Sequence, residues 1–563
     1  MVSLANVKPA SAQTPFAVPQ GSPLPRILPA TPPSTSAPSL LAPPSTPAGA
    51  IPAVDVKVTS TAVVGVTRYN ASDLAALQGD LIGPAIPLAR IEAARSAILN
   101  HYRDDGFVLT TVNASLDAAG HLRFVVVEGR IVDVKLDGDI GPAGTQVLRF
   151  LRHLTNGEPV NNAALERWLL LAQDIPGISL HAILQPSADD PGALTLVAQV
   201  KRQAVSGLIT ADNRGYGLSG PEQGLVVLDL NSFTQFGEKT EFSFFDTARS
   251  TQPFGQASTE LFAGSSGLKI RLYVGHGETT PSGFLNAIGY DGTTTVVGVQ
   301  ASYPLIRARV QTLNLTLGFD ATDSEITTEQ NAISQRLSHD SLRIVRLGAD
   351  YVVEDLLLGA SRSATNLGNL HLSQGISGLG ATGAGNPTPS RAGERTDFFK
   401  ATATLSRTQT LFQPWNGASI ALKGTVAGQA SPDILPATET FYLGGAEFNR
   451  GFYSGEVTGD QALTYSAELQ LNTSFSGVIA GQSLNMPTQF YVFYDGGEVW
   501  QHTSQQPNAR LTSEGIGVRL NVTPTTELGL EGVIRNTRTF GATSAAVRPL
   551  PADAIYWHAL ARF

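Results

Sequence analysis

Two hydrophobic periods divide the chain. From Val54 to about Arg202, apolar residues recur at helical spacing between short β-branched runs. This stretch reads as two units of about 75 residues, each in the order strand, helix, helix, strand, strand. In the first unit, Val56 to Val66 is predicted as a strand. Ser72 is placed to cap a short helix at Asp73 to Leu77. A longer helix runs from Pro87, in its first turn, to Asp104. Ile91, Ala94, Ile98 and Tyr102 form its apolar stripe. Gly106 stops this helix, and Phe107 to Val112 and Leu122 to Val127 are strands. The second unit repeats the order. Ile131 to Leu136 is a strand, Thr145 to Leu154 and Asn162 to Asp174 are helices, and Ile178 to Leu184 and Leu194 to Val200 are strands. A tandem of small α+β modules is more often an adaptor than an enzyme.

From about Ser206 onward the helical period gives way to strict alternation. Leu268, Ile270, Leu272 and Val274 alternate with Lys269, Arg271 and Tyr273. Leu313, Leu315, Leu317 and Phe319 alternate with Asn314, Thr316 and Gly318. Leu463, Tyr465, Ala467, Leu469 and Leu471 alternate with Thr464, Ser466, Glu468, Gln470 and Asn472. Ile516, Val518, Leu520 and Val522 alternate with Gly517, Arg519 and Asn521. A soluble β-sandwich has the same period. The number of segments separates the two, because about 16 follow in one series, each long enough to cross a bilayer when tilted. Connections after odd-numbered strands average roughly 16 residues and those after even-numbered strands roughly 7, the pattern of long outer loops and short periplasmic turns. The shortest lie near Ser265 to Gly267 and at Thr523-Pro524; the longest lie near 321–340, 378–394 and 429–460 on the other side. The chain ends on Phe563 with Trp557, Ala559 and Ala561 alternating behind it.

Composition supports a membrane barrel. Of 563 residues only 15% are charged and 42% are hydrophobic, against about 25% charged in soluble domains. Mean hydropathy is +0.02, and no apolar run reaches the length of a membrane helix. A lipid face that excludes charge, alternating with a polar lumen, accounts for both values. Cysteine is absent, which excludes a disulfide scaffold and a thiolate zinc site. The net charge of −9, with no basic stripe, excludes an ordinary nucleic-acid binder. Residues 1–53 form a proline-rich tether; its first 50 residues hold 12 of the 34 prolines, with Lys8 and Arg26 their only charged side chains. Ala10-Ser11-Ala12 resembles a small-residue cleavage site. Either the true start lies upstream or the triplet is chance in an Ala-rich stretch.

No serine elbow, H-E-x-x-H or Walker loop is present, and the nine histidines are scattered. No catalytic, cofactor or metal site is expected. Two segments do stand out. Phe441-Tyr442-Leu443-Gly444-Gly445-Ala446-Glu447-Phe448-Asn449-Arg450-Gly451-Phe452 lies in the longest outer loop. Phe493-Tyr494-Asp495-Gly496-Gly497-Glu498-Val499-Trp500 lies on the next strand but one after that loop. L-G-G-x-x-x-x-R-G-[FY] followed by F-x-D-x-G resembles the TpsB transporters of two-partner secretion, the hemolysin activation/secretion proteins of the BamA-like outer-membrane superfamily. The resemblance covers nearly all of 54–563. It extends to Val127-Glu128-Gly129-Arg130-Ile131, Leu165-Glu166-Arg167, Asp174-Ile175-Pro176-Gly177 and Asp212-Asn213-Arg214-Gly215.

The resemblance implies two α+β periplasmic POTRA modules, 54–128 and 129–203, followed by a 16-stranded antiparallel transmembrane β-barrel, 204–563. It implies that the loop 429–460 folds inward, so that Arg450 pairs with Asp495. Gly451 then permits a close backbone approach, Phe452 anchors the tip and Gly497 leaves room for it, with Leu443, Gly444, Gly445 and Phe493 in support. Asn449 stands where the family often has an apolar β-branched residue. The family also often has an N-terminal helix plugging the pore, and the proline-rich start is a poor helix. The implied function is export of one large, unfolded, β-helical exoprotein (an adhesin, cytolysin or toxin) from an outer-membrane site, without nucleotide. The other implied partners are outer-membrane lipids and the assembly machinery that reads a terminal aromatic, with the protein working as a monomer. A barrel-assembly factor, which usually carries three to five modules, a diffusion porin, which lacks them, and a barrel fused to a lipase are the competing readings.

Overall fold

The computed structural model describes residues 54–330, 333–383, 385–479, 482–503, 506–540 and 550–563. The tether, the Ala10-Ser11-Ala12 triplet and any N-terminal plug lie outside the described residues.

The first unit contains β1 (Asp55–Val58), β2 (Ser60–Val64), α1 (Ala71–Ala76), β3 (Gly83–Pro87), α2 (Leu88–Asp104), β4 (Thr111–Leu116) and β5 (His121–Val127). β5 lies between β2, parallel to it, and β4, antiparallel to it. The stripe Ile91, Ala94, Ile98 and Tyr102 is the buried face of α2 and shares a core with Leu122, Phe124 and Val126.

Four local expectations need correction. The strand expected over Val56 to Val66 is broken at Thr59. Its N–H and hydroxyl bond the carbonyls of Gly120 and Ala119, so β1 turns away to pair with β3. Pro87 is the N-cap of α2, with ψ of 133°, and not part of its first turn. The extended residues before it form β3, a strand too short to leave a periodic signal. Ser72 lies inside α1, which starts one residue earlier. Phe107 begins no strand: its N–H bonds Tyr102, its carbonyl accepts from Thr110, and the ring enters the core.

The Val127-Glu128-Gly129-Arg130-Ile131 stretch has a physical role. The buried Glu128 carboxylate accepts from the N–H groups of Thr67 and Arg68, from the Thr67 hydroxyl and from the Tyr102 hydroxyl at 2.6 Å. Burial disfavours its charge, but the bonds from Thr67, Tyr102 and the backbone outweigh burial, so the carboxyl titrates below its usual range. A lowered folded value means stability present above the ordinary glutamate range, near pH 4.3, and lost as pH falls through the folded value. Glu128→Gln is expected to weaken this unit by about 1–3 kcal/mol at neutral pH. The gap to the unsubstituted chain should narrow as pH falls below the ordinary glutamate range and close once pH has passed below the folded value. Hydrogen exchange of β2 and β5 in the full chain reads both effects; a gap that persists at low pH would show that the charge is not involved.

The second unit contains β6 (Arg130–Asp137), α3 (Gly144–Leu151), α4 (Asn162–Gln173), β7 (Ile178–Pro186) and β8 (Ala193–Arg202), in sheet order β6-β8-β7. The first expected helix here ends as a 3-10 turn over Arg152–Leu154. Asn161 caps α4 by accepting from the N–H of Ala163 at 2.8 Å. The core gathers Ile131, Val147, Phe150, Leu165 and Leu196. Phe262, from the next domain, stands edge-on to Phe150 with 5.1 Å between ring centres.

The remaining chain closes a barrel. Its elements are β9 (Val205–Asp212), β10 (Gln223–Asn231), β11 (Lys239–Thr247), β12 (Phe254–Phe262), β13 (Lys269–Thr279), a helical turn α5 (Phe284–Ala287), β14 (Asp291–Arg307), β15 (Gln311–Gln330), β16 (Ile333–Asp355), β17 (Ala364–Gly375), β18 (Phe399–Phe412), β19 (Ser419–Ala430), β20 (Phe441–Leu443), β21 (Val457–Gly459), β22 (Gln461–Ile479), β23 (Gln482–Trp500), β24 (Ala509–Thr523), β25 (Thr526–Phe540) and β26 (Asp553–Arg562). Sixteen of these strands form a closed antiparallel barrel with β26 paired to β9; among the described residues β20 and β21 pair only with each other. Closure leaves no free edge, which a barrel in lipid requires. The alternation sorts the two faces. Leu463, Tyr465 and Leu469 are exposed on the outside, while Thr464, Glu468 and Gln470 are buried inside.

The loop expected near 321–340 is instead strand over 321–330 and 333–340. β15 and β16, of 20 and 23 residues, continue as a hairpin past their neighbours. The outer part of β16 is covered by the segment 376–398, whose Thr382 and His339–Thr388 backbone bonds take the place of a neighbouring strand. Polarity at 321–340 read as loop because this ribbon needs no lipid face.

Candidate functional site: a charged anchor on the inner wall

The connection 431–460 carries the hairpin β20–β21 and sits against the inner wall. Its apolar side is a buried cluster of Phe441, Leu443, Phe448, Phe452 and Val457 with Ala427, Ala462, Val499, Ala509 and Leu511 of the barrel strands. Phe452 is fully buried in this cluster. Gly444 and Gly445 have φ of +100° and +108°, values that favour glycine, and turn the chain after β20. The Gly444 N–H bonds Phe448 and the Gly445 N–H bonds Phe452, which closes the tip on itself.

Arg450 lies at that tip, 7% exposed. Its Nε and Nη2 donate to the two oxygens of Asp495 at 2.9 and 3.0 Å, and its backbone N–H adds a third bond to Asp495 at 2.9 Å. Nη1 reaches Glu468, and Nη2 reaches the Ser466 hydroxyl at 3.2 Å. The guanidinium carbon lies 3.7 Å from the ring centre of Phe493. Asp495 and Glu468 are almost wholly buried. The resemblance implies one carboxylate for Arg450; the fold supplies two. The second carboxylate is shared with Arg519, whose Nη1 donates to Glu468 at 3.0 Å.

Two glycines make room. A Cβ at Gly451 would lie 2.4 Å from the Cβ of Ser513, and one at Gly497 would lie 2.5 Å from Oδ1 of Asn449. The Gly451 peptide is held on both sides. Its N–H bonds the Ser513 hydroxyl at 3.1 Å, and its carbonyl accepts from Arg535 at 2.6 Å and from Tyr556 at 3.2 Å. The tip thus touches β22 through β26.

The fold gives several further residues a part in this site. Asn449 has φ of 55°, a left-handed conformation that Asn tolerates far better than a β-branched residue. Its side chain donates to the carbonyl of Leu511 at 3.0 Å and accepts from Thr464 at 3.1 Å. The departure from the family pattern is therefore a polar substitute for apolar packing. Glu468 was legible only as a polar-face position of an alternating strand. Two further charged anchors hold the loop's flanks. Glu439 meets Arg346 at 2.8 Å and Lys400 at 2.6 Å; Asp460, fully buried, takes Arg391 and the N–H of Leu435. Arg214 of the Asp212-Asn213-Arg214-Gly215 stretch pairs with Glu531, and its carbonyl accepts from the N–H of Ser454 in the loop. No signal in the sequence joins these partners, because the members of each pair lie in segments far apart along the chain.

A closed sixteen-strand barrel with a charged loop tip on its inner wall, preceded by small α/β sheets, defines a class of outer-membrane protein. The profile of the haemolysin secretion/activation proteins ShlB/FhaC/HecB matches residues 193–520, and that of the ShlB-type POTRA domain matches residues 56–129. The chain belongs to the haemolysin secretion/activation protein family. It is thus an outer-membrane transporter of a secreted partner protein, with N-terminal POTRA domains, in a family that is not enzymatic. Among solved structures, the fold is similar to CdiB from Escherichia coli, with a TM-score of 0.69 at 17% identity over 94% of each chain. It is also similar to CdiB from Acinetobacter baumannii, with a TM-score of 0.61 at 17% identity over 94% of each chain. A search of curated protein sequences found no match.

Proposed function

We propose that the protein exports one large exoprotein as an unfolded chain through the barrel, and that the loop 431–460 is held by Arg450 until the partner displaces it. The observation that carries this reading is the form of the loop's attachment. An apolar plug held by ion pairs at a tip and two flanks is strong when intact, yet exchangeable by hydrogen-bonding groups that compete for the same carboxylates. The N-terminal sheets suit capture of an extended partner segment by strand addition. In the second of them β7 is an edge strand, paired only with β8 among the described residues. A lumen lined by Thr, Ser and Gln offers weak, replaceable hydrogen bonds to many side chains. Folding of the partner outside would supply direction. The test is secretion of the partner by cells carrying Arg450→Ala or lacking 54–128. Both are expected to abolish it, and normal secretion in both overturns the reading.

A further inference from the structure

The contacts between the second N-terminal unit and the periplasmic rim of the barrel have no part in the function so far. Asp174, the C-cap of α4, takes two parallel hydrogen bonds from Nε and Nη2 of Arg307, each of 2.8 Å. Arg307 ends β14, and its side chain is 3% exposed. From the same helix, Arg167 donates to the carbonyls of Pro304 at 3.0 Å and Leu305 at 3.3 Å, while Glu166 accepts from the N–H of Arg309. The Pro176 carbonyl accepts from the Ser232 hydroxyl at 2.7 Å. From α3, Gln146 donates to the carbonyl of Gly264 at 2.8 Å. The Leu165-Glu166-Arg167 and Asp174-Ile175-Pro176-Gly177 stretches thus share one purpose: their polar groups meet the rim at Ser232 and along 304–309, while Gln146 of α3 adds a third contact at Gly264.

We propose that Asp174 and Arg307 are a positioning pair for export, locking the second unit at one angle so that the outer edge of β7 leads to the barrel mouth. This rests on the export reading above. The covalent link between β8 and β9 is only residues 203–204, which fixes the distance between the two bodies and leaves rotation open. A bidentate pair fixes direction as well as distance. β7 begins at Ile178, two residues beyond Pro176, whose carbonyl is tied to the rim. A partner strand added along β7 is therefore delivered at the rim only while that angle is held. Arg307 is buried, so loss of Asp174 leaves its charge uncompensated and favours swinging out to water.

The chain has no cysteine, so spin labels at Asp189→Cys and Arg362→Cys in the full-length protein report the angle cleanly. Asp174→Arg and Arg307→Asp are each expected to broaden the label–label distance distribution and to lower partner secretion about tenfold or more, the consequence of breaking a buried pair. The double exchange is expected to narrow the distribution and restore secretion to within about twofold. Asp174→Asn, outside the barrel, repeats the single-variant arm without disturbing barrel assembly, which heat-modifiable gel mobility checks. Unchanged distances in Asp174→Asn and Asp174→Arg overturn the lock. Broadened distances with full secretion overturn its role in export. A restored angle without restored secretion in the double exchange overturns it too. If the unsubstituted chain secretes no partner, the export reading fails, while the distance measurement still decides whether the lock exists.

Discussion

Arg450→Ala is expected to free the loop tip more completely than Asp495→Asn does. Removing the guanidinium leaves the buried Asp495 without its arginine partner and the buried Glu468 with one of its two. Ser466 still donates to Asp495, and Arg519 still holds Glu468, but neither contact comes from the loop. Breaking a buried pair by deleting one partner costs about 3–5 kcal/mol, less where water enters. Asp495→Asn deletes one carboxylate and keeps the other, so Arg450 stays bound to Glu468 and on the face of Phe493. Arg450→Lys should fall between, because one ammonium does not reproduce the two-oxygen fork on Asp495 while also reaching Glu468. Protease cleavage within 431–460 of outer-membrane protein, and conductance in planar bilayers, both read release. Equal effects of Arg450→Ala and Asp495→Asn would show that Glu468 carries none of the attachment.

Gly451→Ala is expected to release the tip by a different route, with every charge in place. The added methyl would lie 2.4 Å from the Ser513 Cβ, on a strand backbone that cannot retreat without breaking its pairing to β23 and β25. Overpacking of this kind typically costs about 1–3 kcal/mol, and a displaced tip also loses the bonds from Ser513, Arg535 and Tyr556. The matching Ser513→Gly change removes the clash, at the price of one hydrogen bond. The double variant should therefore resist protease better than Gly451→Ala alone. If Ser513→Gly gives no recovery, the glycine is required for something other than space.

The architecture was legible because its signals are local and repetitive. Alternation over about ten residues identifies a membrane strand wherever lipid and lumen demand opposite chemistry, as Leu463 to Asn472 illustrates. The α2 stripe was legible for the same reason at a period of 3.6. Failures fell where a third party overrides the local pattern. Thr59 is captured by the turn at 117–121, and the 321–340 ribbon is stabilised by the segment 376–398. Neither partner is near in sequence.

At the loop, the resemblance to the TpsB pattern, rather than any spacing in the chain, implies the tip at Arg450 and its carboxylate partner Asp495. Glu468, Ser513, Arg535 and Tyr556 were not visible, because they reach Gly451 and Arg450 from separate strands whose register decides which side chains coincide. Asn449 looked like a weakness in the pattern and is a hydrogen-bonded left-handed residue. What the sequence alone determined is periodicity, hence the two small α/β units, the barrel and the polar side of each strand. What only the tertiary structure decided is partnership: the second carboxylate on Arg450, the flank anchors at Glu439 and Asp460, and the junction of Asp174 with Arg307. The physical reason is that periodicity arises from solvent on either side of a chain, whereas a charge pair depends on the closing register of strands far apart in sequence.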